Sequence, residues 1–161
     1  MKKTLDLICL GRAAVDFYGQ QIGGRLEDMQ SFAKYLGGSS ANLAAGAARL
    51  GVRSSMLTRV GDEHMGRFVR EALAREGVDV SHVKTDPARL TASVVLGIQG
   101  AGSYPHIFFR ENCADMGVCT EDFDEQYIAS SRAISVTGTH LSTPTTRAAV
   151  EQAYRFARAN V

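Results

Sequence analysis

The sequence predicts an α/β architecture, a parallel sheet flanked by helices, on three observations. Leu5–Leu10 is a short, nearly continuous apolar run closed by Gly11, as expected of a central strand covered on both faces. A strand, helix, glycine, strand grammar then occurs twice, the pattern of parallel strands joined by right-handed crossovers. A glycine-rich stretch from Gln99 to Pro105 separates two extended runs, which predicts a small β-hairpin set apart from the main sheet.

Taken in order, residues 12–36 are irregular and broken by Gly19, Gly23 and Gly24. They are expected to supply one or two short strands of a peripheral flap. Gly37 and Gly38 lead into a helix starting near Ser39 or Ser40, where a serine hydroxyl is expected to cap the exposed N–H groups. Alanine dominates this helix, so it can lie close to a sheet. Gly51 stops it in the position after the C-cap, and 54–60 reads as a strand. Asp62 is expected to cap the next helix, whose Met65, Phe68, Val69, Ala72 and Leu73 share one face. Arg67, Arg70, Glu71 and Arg75 form its solvated side.

Gly77 ends that helix and 78–83 resumes extended structure. The predicted hairpin pairs 92–98 with 106–110. Beyond it, 121–129 reads as a short helix, 133–137 as a buried strand, and 145–159 as an amphipathic helix with Ala149, Ala153, Phe156 and Ala157 on one side. A helix of this kind normally returns the chain to another parallel strand. Two readings follow: the last strand stands at an unfinished sheet margin, or the helix caps a small complete domain.

At 161 residues the chain suffices for one domain with a hydrophobic core. With 45% hydrophobic and 22% charged residues and a net charge of +1, nothing electrostatic points to nucleic acid or an anionic membrane as partner. Cys9, Cys113 and Cys119 form no C-x-x-C pair, a usage that fits a reducing cytoplasm. Two lysines precede the first apolar run as in a secretory leader. Asp6 and Arg12 interrupt that pattern and no small-residue cleavage site follows. No stretch approaches the ~20 apolar residues that span a bilayer, so a cytoplasmic location is expected.

The segment richest in chemistry is Gly37-Gly38-Ser39-Ser40-Ala41-Asn42. Paired glycines let a backbone come close to a ligand, and they precede a helix N-terminus with free N–H donors. Asn42 follows in the first turn, with an amide that both donates and accepts, as a polyol requires. A tight loop without a ligand would look the same. Asp16 lies five residues after Gly11, past the first strand, where α/β sheets gather ligands. Its carboxylate suits two adjacent hydroxyls, or it is a solvated loop residue. Arg110 ends the second arm of the hairpin, and its forked donors suit a carboxylate unless Glu111 or Asp115 pairs with it. His64, His82, His106 and His140 show no ligand spacing, so no metal site is expected. Neither a P-loop nor G-x-G-x-x-G is present, which disfavours a nicotinamide dehydrogenase on the same architecture.

G-G-S-S-A-N-L-A from Gly37, then Gly51 and Gly61, resembles the first signature of the ribokinase-like (PfkB) carbohydrate kinases, departing at Ser40, where the pattern prefers glycine, alanine or proline. Gly11-x-x-x-x-Asp16 is similar to the family's opening motif, and Thr58 to Gly66 to its segment after the second strand. The resemblance implies a ribokinase-like fold, with sugar bound by Asp16, Gly37, Gly38 and Asn42. Lid segments near 12–36 and 91–112 are implied to close over the sugar and to offer a route to a homodimer. Residues 16–42 and 108–116 resemble the members acting on 5-dehydro-2-deoxygluconate in inositol catabolism, which implies that Arg110 meets the acid group. Kinases for 2-keto-3-deoxygluconate or fructose, and a non-catalytic sugar-binding module, remain alternatives.

The resemblance implies ATP and Mg²⁺ as partners of the full-length parent. The family's general base lies in a later G-A-G-D-type motif that is not found before Val161. The expectation is therefore an amino-terminal part without the carboxyl-terminal half. It would carry no catalytic residue, have little or no kinase activity, and hold neither ATP nor Mg²⁺ tightly.

Overall fold

The computed structural model describes residues 3–160. β1 (Leu5–Leu10), β4 (Ser54–Gly61), β5 (Val83–Asp86) and β8 (Ser131–Val136) form a parallel sheet in the order β5-β4-β1-β8. Helices α1 (Ser39–Arg49) and α2 (His64–Arg75) cover one face, and α3 (Glu125–Ala129) and α4 (Pro144–Ala159) the other. Alternate side chains of β1 enter two different cores, as the two-residue period of a strand dictates. Cys9 packs with Met56, Val60, Val69 and Leu73 beneath α1 and α2, while Ile8 and Leu10 pack with Leu57, Ile128 and Val150 beneath α3 and α4. Burial on both faces explains why β1 is apolar throughout. Leu10 and Leu57 are fully buried, and truncating either to alanine costs roughly 2–5 kcal/mol.

The alanines of α1 let it rest on the sheet closely enough for Ser54 Oγ to donate to the Ala44 carbonyl at 2.8 Å. Serine does not cap this helix. Gly38 is the N-cap, and Ser40 turns its hydroxyl inward to the carbonyl of Leu10 at 3.2 Å, because that strand-end acceptor is buried beneath the first turn. Nor does Asp62 cap α2: Glu63 does, its carboxylate accepting the N–H groups of Met65 and Gly66 at 2.5 and 3.2 Å. Arg70 is not simply solvated, since its guanidinium reaches the Val83 carbonyl and Thr85 Oγ1 and ties α2 to β5. β5 begins only at Val83. Asp79 Oδ1 accepts the Ser81 N–H at 2.8 Å, a side-chain turn that delays the strand.

A second sheet stands apart from the first. Strands β2 (Ala14–Gly19), β3 (Phe32–Gly37), β6 (Ala92–Leu96) and β7 (His106–Phe109) lie in the order β3-β2-β6-β7. β6 and β7 form the antiparallel hairpin, β2 and β3 a second antiparallel pair, and β2 joins β6 in parallel. Asp16 lies opposite both Tyr35 and Val94, and Val94 opposite Phe108. That register sets Asp16, Tyr18, Val94, Leu96, His106 and Phe108 on one face of the sheet. In the main sheet, β5 and β8 are the edge strands among the described residues.

Candidate functional site

The site begins where β1 ends. The chain leaves the main sheet at Gly11 and turns through Arg12 and Ala13 into β2, so residues at this corner belong to both sheets. Ser40 Oγ bonds the Leu10 carbonyl and lies 3.1 Å from Thr137 Oγ1. This contact joins the ends of β1 and β8 to the start of α1. Ligand sites of open α/β sheets form outside such carboxyl ends.

Asp16 lies in β2 of the second sheet, past the end of the first strand and within a flap strand as expected, rather than in the alternative solvated loop. Its carboxylate is half-buried and accepts no hydrogen bond from the described protein. Burial pushes its pKa up, opposed in part by the positive charge of Arg12. Gly37 makes room for it: a Cβ built there would sit 2.0 Å from Asp16 Oδ1. Gly38 has a different reason. Its φ of +94° is a backbone state that side chains disfavour, and a Cβ would meet the Arg12 carbonyl oxygen at 2.4 Å. Asn42 stands exposed in the first turn of α1, its N–H on the Gly38 carbonyl at 2.9 Å and its amide side chain without a protein partner.

These residues converge. A hollow of about 630 Å³ is lined by Asp16, Tyr18, Gln20, Tyr35 and Asn42 among others. A second, of about 390 Å³, lies against the same face of β2, β6 and β7 and is lined by Arg12, Asp16, Tyr18, His106 and Phe108. Asp16 and Tyr18 border both. Acceptors and donors left free by the protein, beside aromatic walls, can take the hydroxyls and the carbon skeleton of a small polar molecule.

Arg110 is placed differently. Its Nε and Nη2 donate to Asp115 Oδ2 at 3.1 and 2.9 Å, and Nη2 reaches the Thr139 carbonyl at 3.5 Å. Of the alternatives open in the sequence, the structure pairs it with Asp115, whose side chain is fully buried. Arg110 lines another hollow, with Phe17 and Phe109, rather than either one that contains Asp16.

Sequence reasoning missed Arg12. Its guanidinium stands over the Phe108 ring, 5.5 Å from the centroid, and its Nε is buried without a partner. A signal was present, since a cation directly after the glycine that ends a buried strand already sits at the ligand end of the sheet. His140 was also passed over. It is fully buried, its Nε2 lies 3.1 Å from the Asp115 carbonyl, and burial lowers its pKa. The carbonyl can only accept, so in the neutral ring Nε2 carries the proton and Nδ1 is left as an acceptor.

Residues 4–161 match the family model described as pfkB family carbohydrate kinase. The chain belongs to this family. A PfkB protein from Polaromonas sp. JS666 superposes with a TM-score of 0.90 at 31% identity, over 98% of this chain and 53% of that one, which makes the fold ribokinase-like. A putative ribokinase II from E. coli, solved in complex with ATP and Mg²⁺, shares the fold with a TM-score of 0.88 at 23% identity, over 97% of this chain and 50% of that one. The 5-dehydro-2-deoxygluconokinase of Geobacillus kaustophilus (strain HTA426) is 37% identical over 158 residues, covering 98% of this chain and 47% of the relative. The chain thus spans about half the length of the curated relatives it matches.

Proposed function

We propose that the hollow at Asp16 and Asn42 is the sugar site of an ATP-dependent kinase whose acceptor is 5-dehydro-2-deoxygluconate. The observation that carries this is a half-buried carboxylate and an exposed amide, neither engaged by the protein, facing one hollow. An ionised Asp16 accepts bonds from two neighbouring hydroxyls. Asn42 adds one donor group and one acceptor. Gly37 keeps the carboxylate in place by leaving its space empty, and Gly38 fixes the corner from which α1 presents Asn42. The second sheet serves as a lid: its inner face, with Tyr18 and Phe108, excludes water from the bound sugar. Its outer face exposes Ile107 and Phe109 at 50% and 56%, which fits pairing with a second copy. The choice of substrate is supported by the similarity to 5-dehydro-2-deoxygluconokinases and by the cationic side chain of Arg12 bordering the hollow of Asp16.

Among the described residues, no three His, Cys, Asp or Glu side chains gather as a metal-ligand set, so no step is assigned to Mg²⁺ on these residues. Phosphoryl transfer is chiefly positioning and charge neutralisation. The chain's own part is to orient the acceptor hydroxyls. We propose that the general base and the nucleotide contacts belong to residues outside these 161, in keeping with coverage of 47% of the relative's length. Among the described residues no helix is long and apolar enough to cross a membrane.

Isothermal calorimetry with the keto-sugar acid, with and without ATP, tests this reading. Saturable sugar binding that ATP does not alter is expected. Sugar binding that is absent, or that needs no Asp16, contradicts it.

A further inference from the structure

Two arginines stand at the corner between the sheets, and only one is in use. Arg110 spends its guanidinium on Asp115 Oδ2 and the Thr139 carbonyl. Arg12 pairs with no described carboxylate, and its Nε is buried without an acceptor. Its carbonyl accepts the Ala41 N–H at 3.3 Å, and Gly38 passes so close that a Cβ there would meet that oxygen at 2.4 Å. Its side chain lies against the Phe108 ring and borders the same hollow as Asp16. Buried guanidinium donors are ordinarily satisfied, and leaving one unmet is costly. Burial and the like charge of Arg110 both disfavour the cation at Arg12, and Asp115 and Asp16 offset them through space without bonding to it. A carboxylate is the acceptor that a planar fork of donors fits best.

We infer that Arg12, rather than Arg110, receives the acidic group of the ligand, so that the site selects sugar acids over neutral sugars. This rests on the sugar-site reading above and adds an orientation to it. The carboxylate lies at the Phe108 end, away from the like charge of Asp16, and the hydroxyls lie at the Asp16 and Asn42 end. Arg12 is thus the specificity-determining residue, and Arg110 holds Asp115 and the corner in place.

The test is calorimetric titration of the 161-residue chain with a keto-sugar acid and with its neutral counterpart of the same hydroxyl pattern. The wild type should bind the acid more tightly by about tenfold or more, the gain of a charge-assisted pair. Arg12→Gln should erase that preference while changing affinity for the neutral sugar less than about twofold. Arg12→Lys, which keeps charge and bulk but loses the fork, should fall between. Inorganic phosphate should compete with the acid in the wild type and not with the neutral sugar. Equal binding of acid and neutral sugar by the wild type overturns the inference and leaves the sugar site standing. Equal weakening of both ligands by Arg12→Gln also overturns it, since Arg12 would then merely position Asp16. If the wild type binds neither ligand, the sugar-site reading itself fails, and the inference with it.

Discussion

Gly37→Ala is expected to leave the fold intact and remove sugar binding. The added Cβ would lie 2.0 Å from Asp16 Oδ1, 2.3 Å from its Cγ and 2.6 Å from Oδ2. Ordinary contact begins near 3.4 Å, so the carboxylate must retreat by roughly 1.4 Å or turn to another rotamer. Turning an aspartate side chain is inexpensive for the fold, at about 0.5–1.5 kcal/mol for an off-rotamer angle. It is not inexpensive for a ligand, because a hydrogen bond lengthened by that much is no longer one. Loss of one charge-assisted bond is worth about 1.5–3 kcal/mol, or about 10–150-fold in Kd. Calorimetry with the keto-sugar acid reads the affinity, and thermal unfolding followed by circular dichroism reads the fold. The two residues act as one unit, so Gly37→Ala in an Asp16→Ala background should cost almost nothing further. Affinity within twofold of wild type, or additive losses in the double variant, would refute the role given to this glycine.

Asp16→Asn should bind sugar more weakly yet unfold less readily at pH 7. Burial raises the folded-state pKa of Asp16 above its unfolded value, so ionisation penalises the fold. The penalty is absent below the ordinary carboxylate pKa and grows as pH rises through the folded one. Urea melts at pH 7 and at acid pH check the sign, and a variant less stable at pH 7 contradicts it. Gly38→Ala should destabilise the chain, because its φ is +94° and the new Cβ meets the Arg12 carbonyl oxygen at 2.4 Å. The strain alone is about 1–3 kcal/mol, readable as a lower urea midpoint; an unchanged midpoint counts against it. Arg59 bonds Asp122 at 2.8 and 2.9 Å and approaches Asp86 at 3.6 Å, both carboxylates being buried. Arg59→Met leaves the buried Asp122 with only the Cys119 N–H at 3.0 Å, while Asp86 keeps Arg89 at 3.0 Å. It should cost about 3–5 kcal/mol, and a loss below 1 kcal/mol in the same melts contradicts the weight given to the Arg59–Asp122 pair.

Strands β1, β4 and β8 were legible because their signals are local, whereas β5 starts later than expected, after the Asp79 turn. An apolar run, alanine-rich spacing and glycines at helix ends specify elements without knowledge of their neighbours. Cap residues were less legible. Serine and aspartate are good caps in isolation, but Ser40 is claimed by the Leu10 carbonyl and Glu63 reaches the free N–H groups of α2. The hairpin was readable from its turn. Its parallel junction to β2 was not, because pairing between residues 14 and 92 leaves no mark in either segment.

The site shows the same division. Asp16, Gly37, Gly38 and Asn42 could be proposed from the sequence and its family resemblance; the structure sets Asp16 and Asn42 around one hollow, with Gly37 against Asp16 and Gly38 against Arg12. The reason for Gly37 could not be named, since it is the space occupied by a side chain 21 residues earlier in the sequence. The sequence singles out Arg110 for an acid group and passes over Arg12. Only the position of Asp115 decides which of them is free.

Titrating the keto-sugar acid into isotopically labelled chain and following backbone and side-chain resonances would show directly where the ligand sits. We predict that the largest shifts fall on Asp16, Tyr18, the Asn42 amide and Arg12 Nε, with little change at Arg110. Shifts confined to the hollow of Phe109 and Arg110, or scattered over unrelated surfaces, would mean that the corner between the two sheets does not hold the sugar.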